Sequence, residues 1–594
     1  MFCKLRSPLF TLSLLLALPA SGEVSFAGAD GIDGQYFVRL EDGHARWSFE
    51  DATAGPSVDE VATALSTQYG GKVTAVMDSC IQGFVYQGGS RDVSRLATDF
   101  RVRRVAQDTR VIPQDRGCIV PCPSHPDNDP NWQPALQPIP GLSQSPQPID
   151  CIDPEPASET CESNWGLDRI DDRPLPRDGS YTFSELGSNA NIYVFDSGIF
   201  AGHPEFESGG PSSRVRPGRN TYADVTGVGD PTDVTDEVCS RHGTSVASVA
   251  AGLSFGPAKL PWIHPIKFTD SGADSSVASW IASFDWVAEN FTSPAVINLS
   301  YNGQLAGHPC FDELITCTSK VIDLGIPVVQ SAGNKSDLNG DACTWTLADP
   351  VVGEPRVLVV GGMDQFDSRW ERDPADREFY LCEGNSNDCG SNTGSCVDLW
   401  APAAHIVSAH GYPSGQSGMQ AVCHSSGTSF AAPHVTGVVA LYLRQNPTAT
   451  VAEVEAALKG SAWAGLLDGS IQDPDPGGPA SNNLLLNSTL NLRPIAGDDH
   501  VGGLVDLPIV LQWSDLLAND SDPDGGSLEI CAFGEPTFGT IVASGGGSTT
   551  YEPPGHCFIG LDHVDYTVCD DGGGQDTATV TLDLGGIVCP PPDD

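Results

Sequence analysis

An aspartate, a histidine and a serine in this chain each occur in a sequence context that suits nucleophilic catalysis. Ser429 lies where a strand-like segment turns into a helix, within the stretch 424–435. A serine hydroxyl is a poor nucleophile at neutral pH, so it needs a base within hydrogen-bond reach and donors for the negative charge that its attack creates. His242 begins a helix of small residues, and Asp196 ends a run typical of a buried strand. The sequence therefore offers a nucleophile, a general base and a carboxylate to orient that base.

The order and surroundings of these three residues carry a family resemblance. The chain order is Asp, His, Ser, which is the order of subtilisin and differs from that of chymotrypsin and of the α/β-hydrolases. Three further stretches fit the same pattern, at 165–170, 341–343 and 394–402. On these motifs, residues 165 to about 460 resemble a subtilisin-like serine protease (subtilase) of the proteinase K and aqualysin type.

The resemblance implies a fold and a role for each residue. The fold would be α/β, with a parallel sheet of the seven-stranded type flanked by helices. Ser429 would attack the scissile carbonyl, His242 would act as base and then acid, and Asp196 would hold the imidazole. Asn334 follows an apolar run and resembles the asparagine that the family uses in its oxyanion hole, although Gly-Asn pairs are also common turn formers.

A second segment resembles the substrate-binding strand of the family. There Ser300, Tyr301 and Asn302 are expected to pair with the main chain of an extended peptide, which suits broad sequence tolerance. Asn302 stands where a small residue or glycine is usual, so its side chain would narrow the cleft. Arg241 replaces the usual glycine before the histidine, and Ser245 replaces a second histidine. These departures leave the reacting groups intact and affect specificity and loop shape.

Charge and the N-terminal segment limit the partners and the compartment. The formal net charge is −47, from 30 Lys and Arg against 77 Asp and Glu, which disfavours nucleic acid and anionic membranes as partners. Lys4 and Arg6 precede an apolar stretch at 8–18, and small residues at 20–22 suit signal-peptidase cleavage. The apolar stretch is too short to span a bilayer, so we expect export and no membrane span. A retained membrane anchor is the alternative, and the exported protein is expected to be a monomer.

Residues 35–112 have the pattern of a small α+β unit. Ser57 and Glu60 form a capping box before a helix with one apolar face, and strand-like runs and a second helix complete a β-α-β-β-α-β order. This order resembles the inhibitory propeptide of subtilases, which implies a segment that templates folding and blocks the cleft from within the same chain. A structural ferredoxin-like domain is the alternative. The proline-rich residues 113–164 predict an extended linker that contains the maturation cleavage site.

The cysteines favour an oxidising compartment. The chain has 18 cysteines. Those other than Cys3 and Cys80 fall into blocks that each contain an even number, which suggests disulfides within each block. By resemblance, Cys343 and Cys396 would form one pair. Spacing also allows Cys310 with Cys317 and Cys382 with Cys389, but it does not fix the connectivity. Metal binding by cysteine and histidine is the competing interpretation, and export argues against it.

Residues 494–589 have the pattern of a separate β module. Short strands punctuated by Gly, Asp and Pro resemble the cadherin-like or bacterial Ig-like repeats of secreted bacterial proteins, which implies a β-sandwich. Asp520, Asp522 and Asp524 suit a hard cation such as Ca²⁺, although aspartate-rich turns are common without metal. The family resemblance implies a further structural Ca²⁺ at Asp398, where Leu347 stands in place of a usual proline. The chemistry itself requires no cofactor.

The sequence therefore predicts a secreted serine endopeptidase that hydrolyses peptide bonds in protein and peptide substrates through an acyl-enzyme. Its parts would be a signal peptide (1–22), an inhibitory propeptide (35–112), a linker (113–164), a catalytic domain (165–490) and a β-sandwich (494–589). Self-cleavage would release it from an inactive precursor. The alternative is a catalytically impaired binding or adhesion protein that uses the same domain as a scaffold.

Overall fold

A computed structural model describes most of the chain in three folded parts. It describes residues 23–27, 30–47, 55–111, 147–148, 164–172, 175, 177, 179–183, 185–208, 212–236, 241–269, 274–303, 308–335, 340–348, 356–371, 390–410, 421–467, 482–489, 494–504, 507–522, 527–555, 558–570 and 575–585. The predicted signal peptide and nearly all of the predicted linker lie outside these residues. Within them, every helix is too short or too polar to cross a lipid bilayer.

The first part is a small α+β unit in the predicted order, with one additional strand at its start. Its elements are β1 (Glu23–Ser25), β2 (Gly31–Leu40), α1 (Val58–Tyr69), β3 (Lys72–Met77), β4 (Gly83–Gln87), α2 (Ser90–Leu96) and β5 (Val102–Val111). The strands form a sheet in the order β1-β5-β2-β4-β3. The predicted capping box is present, since the Ser57 side chain accepts from the Glu60 N–H and Glu60 accepts from the Ser57 N–H. The apolar face of α1 packs on the sheet in a core that also contains Phe84 and Tyr86.

The second part is an α/β domain. Its elements are β6 (Gln147–Pro148), α3 (Trp165–Asp171), β7 (Ser180–Tyr181), β8 (Asn191–Asp196), β9 (Arg219–Asn220), α4 (Thr221–Thr226), α5 (His242–Ala251), β10 (Trp262–Lys267), β11 (Ser275–Ser276), α6 (Val277–Asn290), β12 (Ala295–Leu299), α7 (Phe311–Asp323), β13 (Val328–Ser331), α8 (Ala342–Trp345), β14 (Leu358–Met363), β15 (Leu399–Pro402), β16 (Ile406–His410), β17 (Ala421–Ser425), α9 (Thr428–Gln445), α10 (Val451–Ser461), β18 (Trp463–Ala464) and β19 (Leu484–Leu485).

The central sheet of this domain is parallel except at one edge. Its order is β18-β19-β15-β14-β13-β12-β8-β10-β9, and the β18–β19 pair is antiparallel. Among the described residues it has nine strands, which are six strands of four to six residues, the two-residue β9 at one edge, and the two-residue β19 and β18 at the other, where the resemblance implied seven. Strands β8, β12 and β14 are buried along their whole length, as expected for a parallel sheet covered on both faces. The carboxyl ends of these strands lead into the loops that carry the candidate site.

The third part is a sandwich of two sheets. Its elements are β20 (Asp499–Leu504), β21 (Ile509–Gln512), α11 (Trp513–Leu516), β22 (Leu528–Phe533), β23 (Thr540–Gly545), β24 (Ser548–Glu552), β25 (Gly560–Asp570) and β26 (Gln575–Gly585). One sheet has the order β20-β26-β25-β22 and the other β21-β24-β23. Alternate residues of β25 and β26 point into a common core with Tyr551. The predicted β-sandwich is thus confirmed.

The disulfides correct one expectation from spacing. Cys343 and Cys396 are bonded, with their Cα atoms 5.3 Å apart, and Cys531 bonds Cys569 within the sandwich. Cys317, however, bonds Cys80 of the first part, and Cys310 is a buried free thiol. The Cys310–Cys317 pairing was wrong because seven residues of helix separate Cα atoms by about 10 Å, beyond the reach of a disulfide. Disulfides are therefore not confined to blocks, and the possible Cys382–Cys389 pair lies outside the described residues.

Candidate active site

Asp196 and His242 meet where β8 ends and α5 begins. Both carboxylate oxygens of Asp196 lie 2.9 Å from Nδ1 of His242, and the Ser197 N–H donates to Oδ1 at 2.7 Å. Asp196 is buried as the last residue of β8, and His242 is the first residue of α5. A carboxylate in this position holds the imidazole by Nδ1 and leaves Nε2 as the nitrogen that can accept a proton.

Ser429 is the second residue of α9, a helix that is buried over most of its length. Its hydroxyl donates to the Ser300 carbonyl at 3.3 Å, and the Ser300 hydroxyl donates to the Ser429 carbonyl at 2.7 Å. The ring of Phe430, the next residue, meets the His242 ring edge-on with centroids 6.1 Å apart. Ser429 thus directly precedes a residue whose ring contacts the histidine, and it lies at a helix N-terminus whose N–H groups and dipole favour negative charge.

Asn334 is fixed against the N-terminal turn of α9. Its Oδ1 accepts hydrogen bonds from the N–H and the hydroxyl of Thr428, at 2.9 and 2.7 Å. A Cβ on Gly427 would lie 3.3 Å from Asn334 Nδ2, so the amide nitrogen faces the turn that leads to Ser429. Gly427 has a φ of 150°, which favours glycine. The side-chain amide therefore has a set orientation next to the serine.

The predicted substrate-binding residues follow β12 directly. Tyr301 is buried, with its ring 5.0 Å from that of Phe268 and 5.8 Å from that of Trp280. Asn302 is buried too, and it donates from Nδ2 to the Ser331 carbonyl and accepts from the Ser331 hydroxyl at 3.2 Å. Its side chain thus ties this segment to β13, a role that differs from the expected narrowing of the cleft.

The two departures near the histidine have local explanations. Arg241 has a φ of 46°, in the left-handed region where glycine costs least, and its guanidinium donates to the Asp236 carbonyl at 3.0 Å. Ser245 is buried in α5 and donates to the Ala409 carbonyl at 2.8 Å. Both side chains bond to backbone carbonyls, so they fix the loops around α5.

Asp236 is a site residue that the sequence analysis missed. It accepts from the N–H and hydroxyl of Thr244 at 3.0 and 2.6 Å and from the Ser197 hydroxyl at 3.0 Å. Ser197 in turn accepts from the Gly243 N–H at 3.0 Å. Burial, with the nearby Asp196 charge adding to it, raises the pKa of Asp236 to about 6. The network links the turn after β8 to the first turn of α5. The sequence positions of Asp236, Ser197 and Thr244 follow no motif that would have predicted it.

Asp398 does not fit the expected calcium site. Its Oδ1 forms an ion pair of 2.6 Å with Lys459, and its Oδ2 accepts from the Val359 N–H at 2.8 Å. Lys459 also pairs with Glu455 at 2.7 Å. The cation that balances this buried carboxylate is therefore a lysine, and a metal ion at Asp398 would have to displace it.

The chemistry of the carboxylates in the sandwich suits a hard cation better than the surroundings of Asp398 do. The Tyr566 hydroxyl lies 2.8 Å from Asp499 Oδ2 and 3.4 Å from Asp520 Oδ2. Burial raises the pKa of Asp499, and the charge of Asp520 raises it further, so a cation would relieve repulsion here. Asp522, which is close to Asp520 in the sequence, is partly buried. Asp524 lies outside the described residues. Calcium in this module stays a prediction.

Comparisons with known proteins identify the families to which two parts of the chain are similar. Residues 187–492 match the subtilase family model, and residues 491–583 match a bacterial Ig domain. The chain is 38% identical over 296 residues to an extracellular serine proteinase of Thermus sp. (strain Rt41A). The matched region covers 50% of this chain and 60% of the relative. It is 29% identical over 411 residues to alkaline serine exoprotease A of Vibrio alginolyticus, covering 69% of this chain and 60% of the relative. A cold-adapted subtilisin-like serine proteinase of known structure matches with a TM-score of 0.42 and 29% identity, covering 55% of this chain and 98% of the other. The chain thus spans about 60% of the length of these two sequence relatives.

Proposed function

Because the chain belongs to the subtilase family, we propose that it is an exported serine endopeptidase that cleaves protein and peptide substrates. The observation that carries the proposal is the joint arrangement of Asp196, His242 and Ser429. Nδ1 of the histidine is 2.9 Å from both carboxylate oxygens, and the serine is the second residue of a buried helix whose next residue, Phe430, contacts the imidazole ring. The Thermus relative is described as an extracellular proteinase, which supports export.

The proposed reaction follows from the atoms available. The Ser429 hydroxyl gives its proton to His242 Nε2 as its oxygen attacks the scissile carbonyl, and the imidazolium is stabilised by Asp196. The oxyanion would be met by the Asn334 side-chain amide and by N–H groups at the start of α9. His242 then returns the proton to the leaving amine, and a water molecule hydrolyses the acyl-enzyme by the same steps in reverse. The segment after β12 would hold the peptide by main-chain hydrogen bonds.

The first folded part acts as an inhibitory propeptide in this proposal. One face of it shares a continuous apolar core with the catalytic domain, through residues that include Phe37, Met77 and Val85. Its last strand, β5, pairs antiparallel with β11, with Val111 opposite Ser275. The Asp108 carboxylate accepts from the Ala278 N–H at 3.0 Å, at the start of α6. A segment docked this closely, with its C-terminal strand added to the catalytic domain, supports inhibition from within the same chain.

Replacing the nucleophile tests both parts of the proposal. Ser429→Ala should hydrolyse neither casein nor a peptide library, and it should accumulate with residues 23–111 still in one chain with the catalytic domain. Ser461→Ala, near the end of α10, is the matched control and should mature and cleave as the wild type does. Maturation of Ser429→Ala when expressed alone would exclude self-cleavage. A wild-type protein that hydrolyses no substrate would favour the binding or adhesion alternative.

A further inference from the structure

A disulfide joins the propeptide to the catalytic domain. Cys80 lies in the loop between β3 and β4, and Cys317 lies in α7. Their Cα atoms are 5.0 Å apart, within the usual range for a disulfide, and both residues are buried. The bond spans 237 residues of sequence, and residues 112–163 fall inside that span. A single cut there would therefore leave two polypeptides that this disulfide still joins.

The loop around Cys80 is also held by an organised set of hydrogen bonds. The Asp285 carboxyl group, on α6, accepts from the backbone N–H groups of Asp78, Ser79 and Cys80 at 3.3, 3.0 and 2.8 Å. Met77 and Ile81 on either side of the loop are fully buried in the core shared with the catalytic domain. The bond therefore lies inside a packed interface, where both partners are positioned before it forms.

The surroundings also protect the bond from exchange. Cys317 has no solvent exposure and Cys80 has 5%, so a thiol in solution reaches neither sulfur easily. A carboxyl oxygen of Asp285 lies within 4.8 Å of both sulfurs, and burial raises the pKa of this carboxyl group to about 7, so its negative charge opposes an approaching thiolate above that pH. Cys310, the free thiol at the start of α7, is buried, and burial raises its pKa well above the ordinary value. It stays protonated and is a poor nucleophile.

Building on the proposed function, we propose that Cys80–Cys317 is a covalent latch that keeps the propeptide on the protease after the chain has been cut. Cleavage and release are then separate steps. Opening the latch takes two electrons, supplied by two molecules of a low-molecular-weight thiol that become one disulfide while Cys80 and Cys317 become thiols. Until then the propeptide rebinds within one molecule, at an effective concentration on the order of millimolar, so dilution does not relieve inhibition.

The test compares the full-length wild type with the Cys80→Ser/Cys317→Ser variant. The Cys531→Ser/Cys569→Ser variant is the matched control, since it removes a disulfide confined to the sandwich. Each protein is allowed to complete chain cleavage, separated on reducing and non-reducing gels, and assayed with a peptide substrate before and after 100-fold dilution. The wild type and the control should run as one species without reductant and as two with it, and their specific activity should not rise on dilution. The Cys80→Ser/Cys317→Ser variant should run as two species on both gels, and its specific activity should rise at least tenfold on dilution.

Each failure has a distinct signature. A cleaved wild type that separates into two species without reductant, or gains activity on dilution as the double variant does, overturns the latch. Full activity of both proteins immediately after cleavage refutes inhibition by the propeptide, which belongs to the proposed function. Should the double variant not fold, alkylation of the denatured, unreduced wild type followed by peptide mapping decides the question. A cross-linked Cys80–Cys317 peptide supports the latch, and an alkylated Cys80 overturns it.

Discussion

We propose two separable roles for Asn334, and Asn334→Ala would remove both. The first role is donation from Nδ2 to the oxyanion, and its loss should lower kcat about 10²–10³-fold. That magnitude is the one known for subtilisin, a member of this family. The second role is acceptance by Oδ1 of the Thr428 N–H and hydroxyl. Leaving these buried donors without an acceptor should cost roughly 1–3 kcal/mol of stability.

Thr428→Val separates the two roles, because it leaves the donor amide of Asn334 in place. It removes the hydrogen bond from the hydroxyl to Oδ1 and the one that the hydroxyl accepts from the Gly333 N–H at 3.1 Å. This variant should lose roughly 1–3 kcal/mol of stability, and its kcat should stay within about tenfold of the wild type because the oxyanion donor remains. The assay is steady-state hydrolysis of a peptide substrate, with kcat and KM separated, alongside thermal unfolding of each variant. If Asn334→Ala changes KM alone, or if Thr428→Val lowers kcat as much as Asn334→Ala does, the amide acts by holding α9 and not as a donor.

Two further predictions concern buried carboxylates. Asp236 has a pKa of about 6 in the folded state, above its ordinary 3.8, so the folded state binds more protons between these values and stability should fall as pH rises from about 4 to about 6. Asp236→Asn in a Ser429→Ala background should flatten that slope in thermal unfolding, and an unchanged slope would assign the titration to another group. Lys459→Met should destabilise the catalytic domain by about 1–3 kcal/mol, because it leaves the partly buried carboxylate of Asp398 without its cation, and a second change, Asp398→Asn, should restore most of that loss. Equal unfolding temperatures for wild type and Lys459→Met would show that the ion pair contributes nothing.

The parts of the fold that depend on local patterns could be predicted from the sequence. Ser57 and Glu60 signal a helix start by themselves, and the apolar run that ends at Asp196 is typical of a buried parallel strand. The Asp, His and Ser motifs could be found because each one is short and contiguous. The extra β1 strand and the two-residue edge strands of the central sheet were missed, since so few residues carry no periodicity.

The parts that depend on contacts between distant segments could not be predicted. Lys459 of α10 lies 61 residues from Asp398, so a carboxylate that resembles a calcium ligand in sequence is balanced instead by a lysine from a distant helix. Cys80 and Cys317 belong to different folded parts, and counting cysteines by block separates them. Asp236 acts through Ser197 and Thr244, whose side chains are ordinary in sequence. In each case the decisive partner is fixed by tertiary packing.

The burial of α9 has a consequence for how the protein moves. This helix contacts five strands of the central sheet and also α5 and α10, and its first fourteen residues, Thr428 to Leu441, are all buried. Opening its backbone hydrogen bonds to solvent requires the surrounding core to separate, so its amide protons belong with those that exchange only on global unfolding. The nucleophile is thus carried by the slowest-exchanging part of the fold, while the loops that meet the substrate can fluctuate or change in evolution without displacing it.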